Sequence, residues 1–162
     1  MKIAIFNNDQ LGIVKGDKVY DVSEIVNWKS EDTETSFLYL IEHFENLKGK
    51  IEESYINCES FLINDVFFKS PVPSTRKIWA APVNYRKHQE EMNEMFNNAP
   101  RTIEELSLFL KSPESLSGPQ DPILLPFKDR RTDHEAELGY VVGKKAKNVL
   151  AEEAAPYIFG YF

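Results

Sequence analysis

The sequence predicts an α+β chain in which a small strand-and-helix module is followed by a mixed, mostly β region. Three observations carry this expectation. Short apolar stretches broken by turn residues fill roughly the first 26 positions, a helical apolar period occupies residues 35–47, and later apolar runs are short and punctuated by proline and glycine.

In the first stretch Ile3, Ile5, Ile13, Val14, Val19 and Tyr20 are the apolar members, and Asn7-Asn8-Asp9 and Lys15-Gly16-Asp17 supply turn chemistry, which together predict a β meander. Between Thr35 and Leu47 the residues Phe37, Leu40, Ile41, Phe44 and Leu47 recur at threes and fours, so one face of a helix is apolar and is expected to pack on the meander. His43, flanked by Glu42 and Glu45, sits beside this stripe and reads as a surface histidine of the helix. The run Lys69-Ser70-Pro71-Val72-Pro73-Ser74-Thr75 breaks regular structure. It divides a module of residues 1–70 from a second region of residues 77–162.

The second region is expected to open with a strand at Lys77–Ala81, with Trp79 packed in a core, followed by a helix over Arg86–Phe96 that stops near Asn97-Asn98-Ala99-Pro100. Leu106–Lys111 and Ile123–Leu125 read as buried strands. Asp133-His134-Glu135-Ala136-Glu137-Leu138-Gly139-Tyr140-Val141-Val142-Gly143 reads as one strand with acidic residues at every second position of its first half, and Pro156–Phe162 reads as the start of a core strand.

A net charge of −7 on 162 residues argues against nucleic acid and against anionic membranes, both of which favour a basic surface, and leaves a small molecule as the expected partner. No apolar run reaches bilayer length, and the N-terminus turns polar too soon for a signal peptide. The single Cys58 excludes an internal disulfide, in keeping with a reducing cytoplasm, and reads as an incidental thiol.

The candidate chemistry lies in two places. On a strand, Asp133, Glu135 and Glu137 share a face; such a row is either a solvated surface or part of an oxygen-only site, which favours Mg²⁺, Mn²⁺ or Ca²⁺ over zinc. His134 falls on the opposite face and is not counted as a ligand. His88 and Glu91, three apart on a helix, share a face and form either an ordinary surface pair or a general base with its orienting carboxylate. Lys111 either is solvated or sets an ammonium beside a substrate anion; Arg86, Lys87, Arg130 and Arg131 read as solvated first, with holding a distal substrate carboxylate as the alternative, and Asn84 and Tyr85 as turn-shaping.

Taken in order, the Asn84-Tyr85-x-x-His88-x-x-Glu91-Met92 block, the Phe109-Leu110-Lys111-x-Pro113 block, the Asp133-x-Glu135-x-Glu137-Leu138 block with its Val-Val-Gly-Lys tail, and Tyr157-x-x-Gly160-Tyr161 resemble the landmarks of the fumarylacetoacetate hydrolase (FAH) superfamily over residues 77–162. The resemblance implies that the second region is the first part of an FAH-like core. It implies a divalent cation, Mg²⁺ first and Mn²⁺ or Ca²⁺ as alternatives, on Glu135 and Glu137, with Asp133 in support. It also implies that His88, oriented by Glu91, deprotonates water, with Lys111 near the substrate. The implied reaction is metal-dependent hydrolysis of a carbon–carbon bond in an acylpyruvate-like or fumarylacetoacetate-like 2-oxo acid. The alternatives are an isomerase or decarboxylase of related 2-oxo or 2-hydroxy-dienoic acids. A departure accompanies the likeness, since a third metal ligand, an Asp, is expected beyond the Gly160-Tyr161 landmark. A homodimer, a second chain supplying the remaining core, and a non-catalytic binding or assembly subunit are the corresponding expectations.

Overall fold

The structure is a computed structural model that describes residues 1–96 and 103–162. These form two compact units, one of Met1–Pro73 with Ser117–Phe162 and the other of Ser74–Leu116.

The first unit opens with the expected meander. Strands β1 (Ile3–Phe6), β2 (Gln10–Lys15) and β3 (Lys18–Asp21) pair antiparallel in chain order. The turns are set by residues that tolerate left-handed backbone: Asn7 and Asp9 at φ 47° and 59° between β1 and β2, and Gly16 at φ 59° between β2 and β3. The Asp9 carbonyl is held by Trp28 Nε1 at 2.6 Å and by Ser30 Oγ at 3.1 Å.

Helix α1 (Thr33–Ser54) runs further than its apolar period suggests. It begins where Asp32 caps it, the carboxylate accepting from Thr35 N at 3.2 Å, with Glu34 in the first turn. Phe37, Leu40, Leu47 and Ile51 are its buried apolar residues, and they join Ile5, Leu11, Ile13, Val22, Val26 and Trp28 in one core. Each such side chain contributes about 1.5–3 kcal/mol. After α1 a short strand β4 (Ser60–Leu62) adds antiparallel to β3. The opposite face of the sheet is closed by Phe6, Val19 and Val66, with Val14, Phe61, Ile63 and Phe68 beside them. Alternation along β1 therefore sends Ile5 to one core and Phe6 to the other.

The second unit holds strand β5 (Ile78–Ala80), helix α2 (Arg86–Phe96), a single helical turn α3 (Ile103–Leu106) and strand β6 (Phe109–Lys111). β5 and β6 pair antiparallel, with Ile78 opposite Lys111 and Ala80 opposite Phe109. Two expectations fail here. Leu106 ends a helical turn instead of opening a strand, and β6 is exposed throughout. Trp79 is 58 % exposed and not core; among the described residues β5 and β6 form a two-stranded sheet of their own. The expected helix stop at Asn97–Pro100 lies outside the described residues.

The chain re-enters the first unit at Ser117. A turn of residues 117–121 docks on the strand-like end of the N-terminal module: Phe68 N donates to Gln120 Oε1 at 2.5 Å, and Gly118 N to Asp121 Oδ2 at 2.6 Å. Residues 121–138 are exposed without exception and contain neither helix nor strand. The expected buried strand at Ile123–Leu125 is therefore absent; Leu124 is 84 % exposed. Strands β7 (Tyr140–Val142) and β8 (Ile158–Tyr161) then form an antiparallel ribbon. The acidic stretch is not part of that ribbon. Its ladder stops at the reciprocal Gly139–Phe162 backbone bonds of 3.1 and 3.0 Å, so Asp133–Glu137 has no partner strand among the described residues. Val141 and Phe159 face inward and pack on the core that α1 shares with the sheet.

Candidate active site

The acidic segment reaches β7 as exposed, irregular backbone. Asp133 is paired with Arg131, whose Nε lies 2.9 Å from Oδ2 and 3.1 Å from Oδ1, and both side chains are well exposed. A pair so exposed stabilises the fold by about 1 kcal/mol at most, but it does give Asp133 its own counter-cation. Glu135 and Glu137, two positions apart, have no hydrogen-bond or ion-pair partner among the described residues. Next to them the loop is basic as well as acidic: Arg130 stacks on Phe127 with its guanidinium carbon 4.1 Å from the ring centre.

As a donor set, Glu135 and Glu137 offer only carboxylate oxygens, which suits a hard cation that keeps part of its water shell. Among the described residues no group of three or more His, Cys, Asp or Glu side chains lies together as a ready metal cage. The two glutamates thus fit a divalent ion as partial ligation, with Asp133 engaged by Arg131.

In the second unit the turn after β5 leads directly into α2, which carries both His88 and Glu91. His88 is half-buried and Glu91 exposed. Their spacing puts them on one side of the helix, yet among the described residues no hydrogen bond or close ion pair joins them. Sequence reasoning missed one feature at this point. Val83 takes φ 46°, a region that a β-branched side chain rarely enters, immediately before Asn84-Tyr85 and the start of α2. Lys111 is the last residue of β6 and is exposed. Beyond it Ser112 Oγ donates to Glu114, and this bond holds the Glu114 carboxyl below its ordinary pKa.

Cys58 is half-buried in the N-terminal module, its thiol 3.7 Å from the Ser54 carbonyl. Burial first, then the carboxylates of Asp21 and Glu24, push its pKa up. A thiol so disposed is a poor nucleophile, which agrees with its reading as incidental.

The chain is thus of the α+β class, with a carboxylate pair leading into a β ribbon in the first unit and a histidine-bearing helix in the second. Comparison with known proteins gives that class a family. Residues 77–162 match the family described as Fumarylacetoacetate (FAA) hydrolase C-terminal, and the chain belongs to the fumarylacetoacetate hydrolase family. A maleylpyruvate hydrolase of Aquipseudomonas alcaligenes is 38% identical over 99% of this chain and 59% of its own length. The mitochondrial oxaloacetate tautomerase fahd2 of Xenopus laevis is 34% identical over 60% of this chain and 29% of its own length. The crystal structure of maleylpyruvate hydrolase from Sphingobium sp. SYK-6 in complex with manganese(II) ion and pyruvate superposes with a TM-score of 0.82 at 32% identity, covering 99% of this chain and 56% of that one. The chain thus spans a little under three fifths of the maleylpyruvate hydrolases it matches. The α+β expectation and the family resemblance agree with these findings.

Proposed function

We propose that this chain serves a divalent-metal-dependent hydrolase that cleaves a carbon–carbon bond of an acylpyruvate-like 2-oxo acid. The observation that carries the reading is the match of nearly the whole chain, at 38% identity, to a maleylpyruvate hydrolase, with the acidic segment and the His88 helix inside the matched length. A cation held by Glu135 and Glu137 would supply a Lewis acid for the carboxylate and 2-oxo oxygens of the substrate.

The remaining roles belong to the chain itself. Glu135 and Glu137 contribute negative charge that selects a hard cation. His88 takes the proton of the attacking water, which requires the neutral imidazole, and Glu91 orients the ring through its other nitrogen once the two side chains engage. Lys111 adds positive charge for the substrate anion. Mg²⁺ as the resident ion, a homodimer and a cytoplasmic setting complete the reading; the first two are supported by the family resemblance, the third by the single cysteine.

Calorimetric titration of Mn²⁺ tests it. A micromolar site is expected in the parent, weakened at least ~10-fold in Glu135→Gln and in Glu137→Gln, since each substitution removes one anionic ligand. No Mn²⁺ binding in the parent, or unchanged binding in both variants, would favour a non-catalytic binding or assembly role instead.

A further inference from the structure

The acidic segment has no regular structure of its own, so something outside it must fix its path. It lies within an exposed arm tethered at both ends in the first unit: upstream by the 117–121 turn on Phe68, and downstream by the β7–β8 ribbon. The downstream tether has an unusual construction. Val141 pairs with Gly160 while Val142 pairs with Ile158, so the register slips and Phe159 is left without an opposite residue. Bulges of this kind re-aim a side chain. Here the Phe159 ring stands edge-on to Phe37 at 6.1 Å between centres and to Phe44 at 5.0 Å, both on α1. Gly143 lets the ribbon close over it, since a Cβ there would sit 3.0 Å from the Phe159 Cβ.

We propose that Phe159 is a positioning residue: seated against Phe37 and Phe44, it fixes the β7–β8 ribbon on the N-terminal module and so sets the backbone that delivers Glu135 and Glu137. The metal consequence rests on the reading of those glutamates as cation ligands, whereas the anchoring does not. An isolated two-stranded ribbon is marginal in water, so releasing the ring should melt the ribbon and free the segment that leads into it. The N-terminal module then acts as a mount for the site and is more than an appendage.

The test is hydrogen exchange at the amides of Gly139, Gly143 and Phe162, which bond only within the ribbon and its closing turn, together with Mn²⁺ calorimetry, on the parent, Phe159→Ala and Phe159→Leu. In Phe159→Ala exchange at these amides should quicken ~10-fold or more while the β1 and β2 amides keep their protection. Mn²⁺ affinity should fall ~10-fold, as when the support of a ligand is removed. Phe159→Leu, which keeps apolar bulk, should recover most of both. Leu38→Ala, on the exposed side of α1, should change neither. If Phe159→Ala does not fold, Phe44→Leu is judged by the same measurements.

Unchanged exchange at the three amides, or an equal loss of protection in β1 and β2, overturns the proposal. Quickened exchange with no change in a measurable Mn²⁺ affinity also overturns it, since the ribbon would then be anchored without positioning the glutamates. If the parent binds no Mn²⁺, the metal reading alone falls and the exchange result decides the anchoring.

Discussion

Replacing Gly118 by alanine should destabilise the fold, because the turn approaches backbone more closely than a Cβ permits. A Cβ at position 118 would lie 2.8 Å from the Phe68 carbonyl oxygen and 3.1 Å from the Lys69 carbonyl carbon, with Asp121 Oδ2 also at 3.1 Å. The strand-like segment beneath it cannot move aside cheaply, since Lys69 N donates to the Ile5 carbonyl at 2.9 Å and Phe68 bridges to Phe6. The turn must lift instead, weakening the bond from Phe68 N to Gln120 Oε1. Overpacking of this kind costs ~1–3 kcal/mol, and a strained hydrogen bond adds about 1 kcal/mol. Taking ~2–4 kcal/mol for the sum, a chain of this length should melt roughly 4–16 °C lower. Circular dichroism during heating reads the shift. Gln120→Ala, which removes the side-chain bond without the clash, should show the smaller part of the loss. A Gly118→Ala melting point within about 1 °C of the parent, far below the shift expected for even 1 kcal/mol, would refute the close-packing argument.

Two further outcomes follow from local physics. Gly49 lies on the exposed side of α1, and a methyl group added there would meet nothing within 4 Å, so Gly49→Ala should stabilise the protein by about 0.5–1 kcal/mol, read as a higher urea midpoint at unchanged slope. Cys58 should alkylate with iodoacetamide more slowly at pH 8 than a free thiol, with its rate profile displaced to higher pH, because burial and the Asp21 and Glu24 carboxylates disfavour the thiolate. The sign for stability follows. The folded thiol pKa is raised, so the associated stability is intact below the ordinary thiol value of ~8.5 and is lost as pH climbs through the folded value. Alkylation as fast as that of free cysteine would contradict this.

The N-terminal half was legible because its signals are local. Gly16 and the Asn7–Asp9 turn punctuate strands whose apolar members alternate, and Phe37, Leu40, Phe44 and Leu47 mark one side of α1. β4 escaped notice because Ser60–Leu62 offers one half-buried residue between two exposed ones, too short a pattern to show a period. The helical placement of His88 and Glu91 was likewise legible from composition. Their engagement was not, since helical spacing fixes a shared side and leaves the hydrogen bond to rotamers. At Ile123–Leu125 apolar character does not bring burial, since hydrophobicity gives only a tendency to be covered and says nothing of which surface does the covering.

The acidic stretch shows the same limit in the place that matters most. Alternation places side chains on faces only if the backbone is held extended, and a strand is held by a partner. From Asp133 to Glu137 that partner is absent among the described residues, so the order that parity promises must come from the ends of the arm. Both ends are secured by contacts remote in sequence. Phe68 and Gln120 are 52 positions apart, and Phe159 meets Phe37 and Phe44 through a register slip that no periodicity encodes. Residue types able to ligate a cation are therefore written locally, whereas their placement depends on how the N-terminal module grips both ends of the arm. That division explains why substitution at Phe159, which bears no ligand, is expected to act on the glutamate pair.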